Sequence, residues 1–228
     1  GGGICQVTTT LYNAVLLAEL EISQRFNHSM TVSYVPLSMD AAIAESAGKD
    51  FKFVNNLSYP IYIEGVTTED KKITFTVYGC ETRPENREVT YESVVISKNV
   101  PEGERVVPDG SRPAGYIDVQ SAHVGYVAEL WKIVKVDGVE ESREQVNGSR
   151  YTATPRTAAV GTATANPLAA QAINAAIATG SIDQCRATAA AINAGTYNDP
   201  AAAAIAAQQA AIAAQQAAAQ AAAQQQAQ

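Results

Sequence analysis

The residues with the clearest chemical potential stand at the start of the chain, where three glycines precede a cysteine. Apolar residues then recur at helical spacing, which predicts a helix from about Cys5 to about Ala18. Cys5 would lie in its first turn, where unpaired backbone N–H groups and the helix dipole favour a nucleophilic thiolate. The backbone N–H groups of Gly2 and Gly3 would form an oxyanion hole. The alternative is that Cys5 is only a small buried apolar side chain.

A histidine follows at a distance that suits this cysteine. Residues Leu20 to His28 alternate between apolar and polar, which predicts a half-buried strand. The predicted helix would be about 20 Å long and the strand about 26 Å. A strand that turns back along the helix would therefore return His28 to the level of Cys5, where its imidazole could act as a base. The alternative is a core histidine that only packs on the helix.

Asp40 is the candidate for a third group, because a carboxylate can orient the imidazole of a catalytic histidine. The alternative is that Asp40 caps a short turn from Asp40 to Ala44. The sequence leaves both interpretations open. Asn27, which points away from His28 on the predicted strand, is a weaker candidate.

Length and composition exclude several functional classes. The chain has 228 residues and a net charge of −7 with no basic patch, so nucleic acid is not an expected partner. Its three cysteines and two histidines show no spacing typical of a disulfide framework or a metal site, and no cofactor is expected. No run of about 20 strongly apolar residues is present, so no transmembrane segment is expected in this chain.

After His28 the pattern is mainly that of β-strands. In the first third of the chain the predicted strands are Met30–Val35, Phe51–Val54, Pro60–Gly65 and Ile73–Tyr78, the last two forming a hairpin. A second module begins near Arg83, with strands at Val89–Val95, Tyr116–Gln120 and Tyr126–Val136 and a hairpin turn at Asp137-Gly138. From about Ala163 the composition changes to alanine and glutamine, with two capped helices and then a spacer that is helical or disordered.

The predicted fold class is therefore α+β. We expect a helix carrying the cysteine near its N-terminus to pack on an antiparallel sheet. An elongated all-β module and an Ala/Gln-rich tail that is helical or disordered would follow.

The first module resembles the VanW domain of bacterial cell-envelope proteins. The resemblance extends to about Gly79 and rests on Gly1–Ala14, His28-Ser29, Val32, Tyr34-Val35-Pro36, Asp40-Ala41 and Asp50-Phe51-Lys52-Phe53. The chain departs from the family pattern where Glu19 replaces a usual glycine, and where Pro36-Leu37-Ser38-Met39-Asp40 replaces a Pro-x-Gly-x-Asp run. VanW domains normally have more sequence before the glycines. We therefore expect this chain to hold the C-terminal part of such a domain, with a signal or membrane anchor in the missing part.

The second module resembles the five-glycine domain of secreted bacterial enzymes and adhesins. The matching residues are Gly103, Gly115-Tyr116, Gly125-Tyr126, Gly138-x-Glu140-x-Ser142-Arg143-Glu144 and Gly161-Thr162. The resemblance implies an elongated β-rich module proposed to bind cell-wall glycan. Tyr116, Tyr126 and Trp131 could stack on sugar rings, or they could fill the core of a thin β-domain. The expected domains are thus a truncated VanW-like domain at 1–82, a five-glycine domain at 83–162 and a low-complexity tail at 163–228.

The two resemblances imply an extracytoplasmic protein of the cell envelope that acts on peptidoglycan. VanW domains resemble cysteine-dependent L,D-transpeptidases in activity. Cys5 would take the acyl group of a donor stem peptide as a thioester and pass it to the amine of an acceptor stem, forming a 3→3 cross-link. The alternatives are a cysteine peptidase acting on stem peptides and a non-catalytic wall-binding module. The second module would either tether the enzyme to the wall or complete its active-site cleft. The donor and acceptor stems and the oligomeric state cannot be read from the sequence.

Overall fold

The computed structural model of the protein describes residues 3–226, which contain four α-helices and ten strands. The helices are α1 (Ile4–Leu17), α2 (Pro167–Ala178), α3 (Ile182–Asn193) and α4 (Pro200–Gln226). The strands are β1 (Glu21–Gln24), β2 (Lys52–Val54), β3 (Tyr62–Thr67), β4 (Ile73–Tyr78), β5 (Arg87–Asn99), β6 (Glu104–Pro113), β7 (Ile117–Gln120), β8 (Gly125–Val136), β9 (Val139–Tyr151) and β10 (Arg156–Ala163). This mixture of helices and mainly antiparallel sheets confirms the α+β class.

The chain forms two compact units that do not follow the order of the sequence segments. The first contains the residues through Val100 together with His123–Ala153, and the second contains Pro101–Ala122 together with the residues from Thr154 onward. Strands β5, β8 and β9 of the predicted second module therefore belong to the same unit as α1. The boundaries expected from the two family resemblances stay predictions, since they concern sequence families and not contacts.

The first unit is assembled on α1, whose buried face supplies its core. Tyr12 and Leu16 are almost fully buried and pack with Ala41 and with Leu130 of β8. The ring of Phe51 meets that of Tyr12 edge-on at 5.5 Å between centroids. Tyr12, Val15 and Leu16 recur at helical spacing on α1, so one face of the helix contributes to the hydrophobic core of the unit.

Helix α1 ends in a Schellman motif centred on Glu19. The Glu19 N–H donates to the Leu16 carbonyl at 2.9 Å and the Leu20 N–H donates to the Val15 carbonyl at 3.2 Å. Glu19 has a left-handed backbone with φ 57°, a conformation that favours glycine. Its carboxylate is paired with Arg83, Arg87 and Lys132 at 2.6 to 2.9 Å. Led by the hydrogen bond from Arg87, these contacts hold the pKa of Glu19 far below its usual range.

Three antiparallel sheets complete the first unit. Strand β1 pairs with β2, β3 pairs with β4 as a hairpin, and β8 lies between β5 and β9. The turn between β8 and β9 is formed by Asp137 and Gly138, both with positive φ, which is the backbone that a tight hairpin requires.

The second unit is a three-stranded sheet covered by helices. Strand β10 lies in the centre, parallel to β6 and antiparallel to β7. Its Ala158 and Val160 share a buried core with Ile173 of α2 and with Ile182 and Cys185 of α3. The predicted helix caps are confirmed, since the side chains of Asn166 and Ser181 accept hydrogen bonds from the first-turn N–H groups of α2 and α3.

Several expected elements are corrected by the structure. The strand predicted from Leu20 to His28 ends at Gln24, because only Glu21–Gln24 has a partner strand. The strand predicted over Met30–Val35 is wrong, because this stretch has no regular structure. Its β-branched and aromatic residues favour a strand, but they do not form one without a partner strand. The predicted β3–β4 hairpin is confirmed, and the Ala/Gln spacer is helical as α4.

Ser38 also occupies a left-handed position, with φ 66°, and its buried hydroxyl has no hydrogen-bond partner among the described residues. We expect Ser38→Gly to raise the free energy of unfolding by about 1 kcal/mol. Glycine removes the cost of about 1–2 kcal/mol that a left-handed backbone imposes on other residues, and it removes the unpaired hydroxyl. The greater backbone entropy of glycine in the unfolded chain offsets part of this gain. Urea denaturation measures the change.

Lys71→Gly is the matched control, since Lys71 has φ 64° in an exposed turn and tests the backbone contribution alone. A Ser38→Gly protein less stable than the unchanged chain would contradict the interpretation.

Candidate active site

The closest pair among the predicted site residues is His28 and Asp40. The His28 Nδ1 lies 2.7 Å from Asp40 Oδ2, and the backbone N–H of His28 donates to the same oxygen at 2.7 Å. Asp40 is completely buried, whereas the His28 side chain keeps 20% of its surface exposed. The structure therefore brings these two residues together with one ring nitrogen held by the carboxylate and Nε2 directed away from it.

Asp40 remains ionised because other donors surround its carboxylate. Arg25, 5% exposed, donates from Nη2 to Asp40 Oδ1 at 3.0 Å and from Nε to the Asp40 carbonyl at 2.7 Å. The Tyr151 hydroxyl donates to Oδ1 at 2.5 Å. Burial raises the pKa of Asp40, but the hydrogen bonds from His28 and Tyr151 and the charge of Arg25 outweigh it and lower that pKa below its usual value.

Asp40 is positioned by a segment that lies along α1. Three side chains on one face of the helix, each four residues from the next, hydrogen-bond to alternate carbonyls of the segment Met39–Ile43. Asn13 donates to Met39 at 2.9 Å, Thr9 to Ala41 at 3.2 Å and the Cys5 thiol to Ile43 at 3.6 Å. Four helical residues rise about 6 Å and two extended residues advance about 6.6 Å, so the two repeats match. The helical turn that Asp40 would have capped is absent from residues 40–44.

Cys5 occupies the second residue of α1, and glycine makes this helix start possible. Gly3 is the N-cap residue with φ 90°, a left-handed backbone, and its carbonyl accepts the first helical hydrogen bond from Val7 at 3.0 Å. The Cys5 side chain is half-buried. Gly2 lies outside the described residues, so the predicted oxyanion role of Gly2 and Gly3 stays a prediction.

Tyr34 lies beside the histidine. Its hydroxyl is 3.4 Å from His28 Nε2, the ring nitrogen that Asp40 does not hold. The Tyr34 ring meets the His28 ring edge-on, at 6.3 Å between centroids. Burial raises the pKa of the Tyr34 hydroxyl above its usual value. The predicted Cys5–His28 dyad stays a prediction.

Sequence reasoning missed three contributors to this site. Arg25 was expected on the opposite face of a strand from His28, but the strand ends at Gln24 and Arg25 reaches Asp40. Tyr151 and Ser149 lie on β9, more than 100 residues away in the chain, and bind Asp40 and Arg25. No local pattern could identify them, because their partners are set by tertiary contacts alone.

The predicted glycan-binding aromatics lie elsewhere and are partly buried. Trp131 on β8 donates from Nε1 to Glu129 at 3.1 Å. Tyr126 also lies on β8, and Tyr116, in the second unit, has the Arg112 guanidinium 5.0 Å above its ring. A role in stacking on sugar rings stays a prediction. Among residues 3–226 no cluster of acidic, histidine and cysteine side chains could hold a metal ion.

A cleft of about 570 Å³ in the first unit lies away from this site. It borders the last turn of α1, at Ala14, Leu17 and Ala18, and continues along β4 to Arg83. Cys5 lies in the first turn, about 20 Å away at the helical rise of 1.5 Å per residue. The chemistry of the His28–Asp40 pair, rather than cavity size, identifies the candidate site.

Comparison with known proteins supports the family resemblance of the first segment. Residues 1–78 match the model of the family described as VanW like protein. The uncharacterized protein YoaR of Bacillus subtilis (strain 168) is 51% identical over 63 residues, which cover 28% of this chain and 20% of that relative. The chain thus spans about a fifth of the length of the curated relative it matches.

The chain is also similar to two solved structures. The IgA1 protease G5 domain structure is 28% identical, with 34% of this chain and 94% of that one covered and a TM-score of 0.21. The crystal structure of HP0197-G5 is 21% identical, with 32% and 99% covered and a TM-score of 0.16. Both titles name a G5, or five-glycine, domain.

We expect Asp40→Asn to lower the free energy of unfolding by about 3–5 kcal/mol at pH 7, because it leaves the buried Arg25 without its partner charge. The lowered pKa of Asp40 stabilises the fold above its unfolded pKa of about 3.9, and this contribution is lost as the pH falls through the lower folded pKa. The difference between the two proteins should therefore shrink at the lowest pH. Urea denaturation from pH 2 to 8 measures it.

Asp50→Asn is the control, since Asp50 is 58% exposed and its ion pair with Lys52 is 3.7 Å long. We expect this control to change stability by less than about 1 kcal/mol. Equal effects of the two substitutions at pH 7 would contradict the role given to Asp40.

Proposed function

We propose that this protein is a cysteine-dependent acyltransferase of the bacterial cell envelope, of the L,D-transpeptidase type, acting on peptidoglycan stem peptides. The observation that carries the proposal is the imidazole of His28, held at Nδ1 by the buried carboxylate of Asp40. Asp40 lies in the segment Met39–Ile43, whose last carbonyl accepts a hydrogen bond from the Cys5 thiol. A buried carboxylate that Arg25 and Tyr151 keep ionised can orient the imidazole and stabilise it when it is protonated, as a general base needs.

In the proposed first half-reaction, His28 Nε2 takes the proton of the Cys5 thiol. The sulfur then attacks the carbonyl carbon after the third residue of a donor stem peptide. Collapse of the tetrahedral intermediate breaks the peptide bond, and His28 returns the proton to the nitrogen of the leaving D-amino acid. The acyl group is left on Cys5 as a thioester. Asp40 stabilises the imidazolium formed during this step and fixes the tautomer with the proton on Nδ1.

In the second half-reaction the amine of an acceptor stem attacks the thioester. His28 Nε2 accepts the amine proton, the carbon–sulfur bond breaks, and the proton passes to the departing thiolate. The product is a 3→3 cross-link and the regenerated Cys5 thiol. Water in place of the amine would give hydrolysis by the same residues, so the acceptor distinguishes a transpeptidase from a peptidase acting on the same stem.

The proposed partners are peptidoglycan stem peptides and glycan, and the proposed location is outside the cytoplasm, in the envelope or secreted. The VanW match of residues 1–78 supports this assignment. No helix within residues 3–226 is long and apolar enough to span the bilayer. The β5–β8–β9 sheet supplies Tyr151 to Asp40, which supports the view that the second module completes the site and does not act only as a tether.

Incubation with a disaccharide tetrapeptide should add the mass of the acyl group to Cys5, and addition of an acceptor stem should release a 3→3 cross-linked dimer. Intact-protein and product mass spectrometry measure both steps. Cys5→Ala and His28→Ala should each lower turnover by at least about 1,000-fold, since removal of a nucleophile or base has effects of this size in comparable sites. Cys80→Ala is the matched control and should leave the rate unchanged, because Cys80 is an exposed thiol outside the site.

Alkylation by iodoacetamide separates an enzyme from a wall-binding module in which Cys5 only packs. Cys5 should react faster than Cys80 near neutral pH, although Cys80 is more exposed, and His28→Ala should remove this advantage. Cys185 should be slowest, because burial raises the pKa of its thiol. The binding module would be favoured by three results together: the protein binds insoluble peptidoglycan, its Cys5 reacts no faster than Cys80, and it forms no thioester.

A further inference from the structure

The proposed mechanism does not use Tyr34, although its hydroxyl is the group next to the free nitrogen of His28. With the neutral imidazole protonated at Nδ1, that N–H donates a hydrogen bond to Asp40, so Nε2 carries the lone pair and the Tyr34 hydroxyl donates to it across 3.4 Å. The Cys5 thiol meanwhile donates to the Ile43 carbonyl at 3.6 Å. In this state the base and the nucleophile are each engaged by another group.

Tyr34 has the properties of a neutral hydrogen-bond donor. Burial is the main cause that raises the pKa of its hydroxyl above the usual value, and a negative charge on Asp40 or on an ionised Cys5 acts in the same direction. A thiolate or carboxylate nearby disfavours a second negative charge, so the hydroxyl keeps its proton while Cys5 ionises. The residue itself is 38% exposed, which leaves it accessible to a substrate.

The position of the hydroxyl relative to the proposed base is also informative. His28 Nε2 takes the thiol proton in the proposed acyl transfer, and the Tyr34 hydroxyl lies 3.4 Å from that nitrogen. The hydroxyl is therefore close to the place where the Cys5 sulfur and the carbonyl under attack would meet.

We propose that Tyr34 is a catalytic residue that donates a hydrogen bond to the substrate carbonyl oxygen as the Cys5 sulfur bonds to the carbonyl carbon. This inference rests on the proposed acyl transfer. The carbonyl π electrons move onto oxygen as the carbon–sulfur bond forms, and the Tyr34 O–H turns from Nε2 to that oxygen without losing its proton. The same rotation frees Nε2 to take the proton of the thiol. When the tetrahedral intermediate collapses and His28 gives up its proton, the Tyr34 hydroxyl again donates to Nε2 of the neutral imidazole.

Tyr34→Phe tests the proposal because two reactions of Cys5 differ in the group they need. Acylation by a stem peptide creates an oxyanion, whereas alkylation by iodoacetamide displaces iodide and creates none. We expect Tyr34→Phe to lower kcat for acylation about 100-fold with little change in KM, the effect of removing one oxyanion donor. The rate of Cys5 alkylation should be unchanged or higher, because Nε2 has lost a competing donor.

Two variants serve as controls in both assays. His28→Ala should slow acylation and alkylation together, since the base serves both reactions. Tyr59→Phe should change neither rate, because Tyr59 is a 49% exposed tyrosine outside the site. Circular dichroism and thermal unfolding of the Tyr34→Phe protein establish that it is folded.

The proposal is overturned if Tyr34→Phe acylates within about threefold of the unchanged protein, or if it slows acylation and alkylation equally, which is the mark of a structural role. If the unchanged protein forms no thioester with any stem peptide, the proposed function is overturned, and the Tyr34 assignment with it. If the unchanged protein is acylated and Tyr34→Phe is acylated at the same rate, only the Tyr34 assignment is rejected.

Discussion

The candidate site depends on the hydrogen bonds that join α1 to the segment Met39–Ile43. They fix which residues of this segment face the helix, because only alternate carbonyls match side chains four residues apart. Asp40 falls between two of these contacts and therefore points away from α1, toward His28. A slip of one residue would exchange its direction with that of Ala41, which is buried against Tyr12, and would place a carboxylate in the apolar core.

The second constraint is the need to keep a buried carboxylate charged. An isolated Asp40 at zero exposure would take up a proton, which would remove its ability to stabilise an imidazolium. Arg25, Tyr151 and two donors of His28 prevent this, and they come from two separated stretches of the chain. The unit that contains the VanW-like segment is for this reason not confined to it. Strand β9 contributes the Tyr151 donor, and Leu130 of β8 packs in the same core as Tyr12.

The two departures from the VanW pattern share one physical feature. Glu19 and Ser38 replace expected glycines, and both adopt a left-handed backbone with φ 57° and 66°. Glu19 is compensated by three cationic partners, which stabilise the carboxylate and hold the end of α1. Ser38 is held through its backbone, which accepts from Asn147 and donates to Tyr151, while its hydroxyl stays without a partner among the described residues. The fold therefore tolerates a left-handed backbone at both non-glycine residues: ion pairs hold Glu19, and backbone hydrogen bonds hold Ser38.

Elements that depend on interactions between neighbouring residues could be predicted from the sequence. Periodic apolar residues gave α1 within one residue at each end, cap residues gave α2 and α3, and Asp137-Gly138 gave the β8–β9 turn. Such features are set by neighbours in the chain, through helix spacing, unpaired N–H groups and positive φ. Cys5, His28 and Asp40 could be named as candidates from the sequence because the chemistry of a side chain depends on its residue type.

How those residues come together depends on contacts between remote parts of the chain. The strand expected to carry His28 back along α1 ends at Gln24, and His28 reaches its place through hydrogen bonds of the irregular stretch that follows. Tyr34 was expected in a strand and instead places its hydroxyl at His28 Nε2. Tyr151 joins Asp40 across 111 residues of sequence. Strand pairing and buried ion pairs depend on partners that are remote in the chain, so no local pattern specifies them.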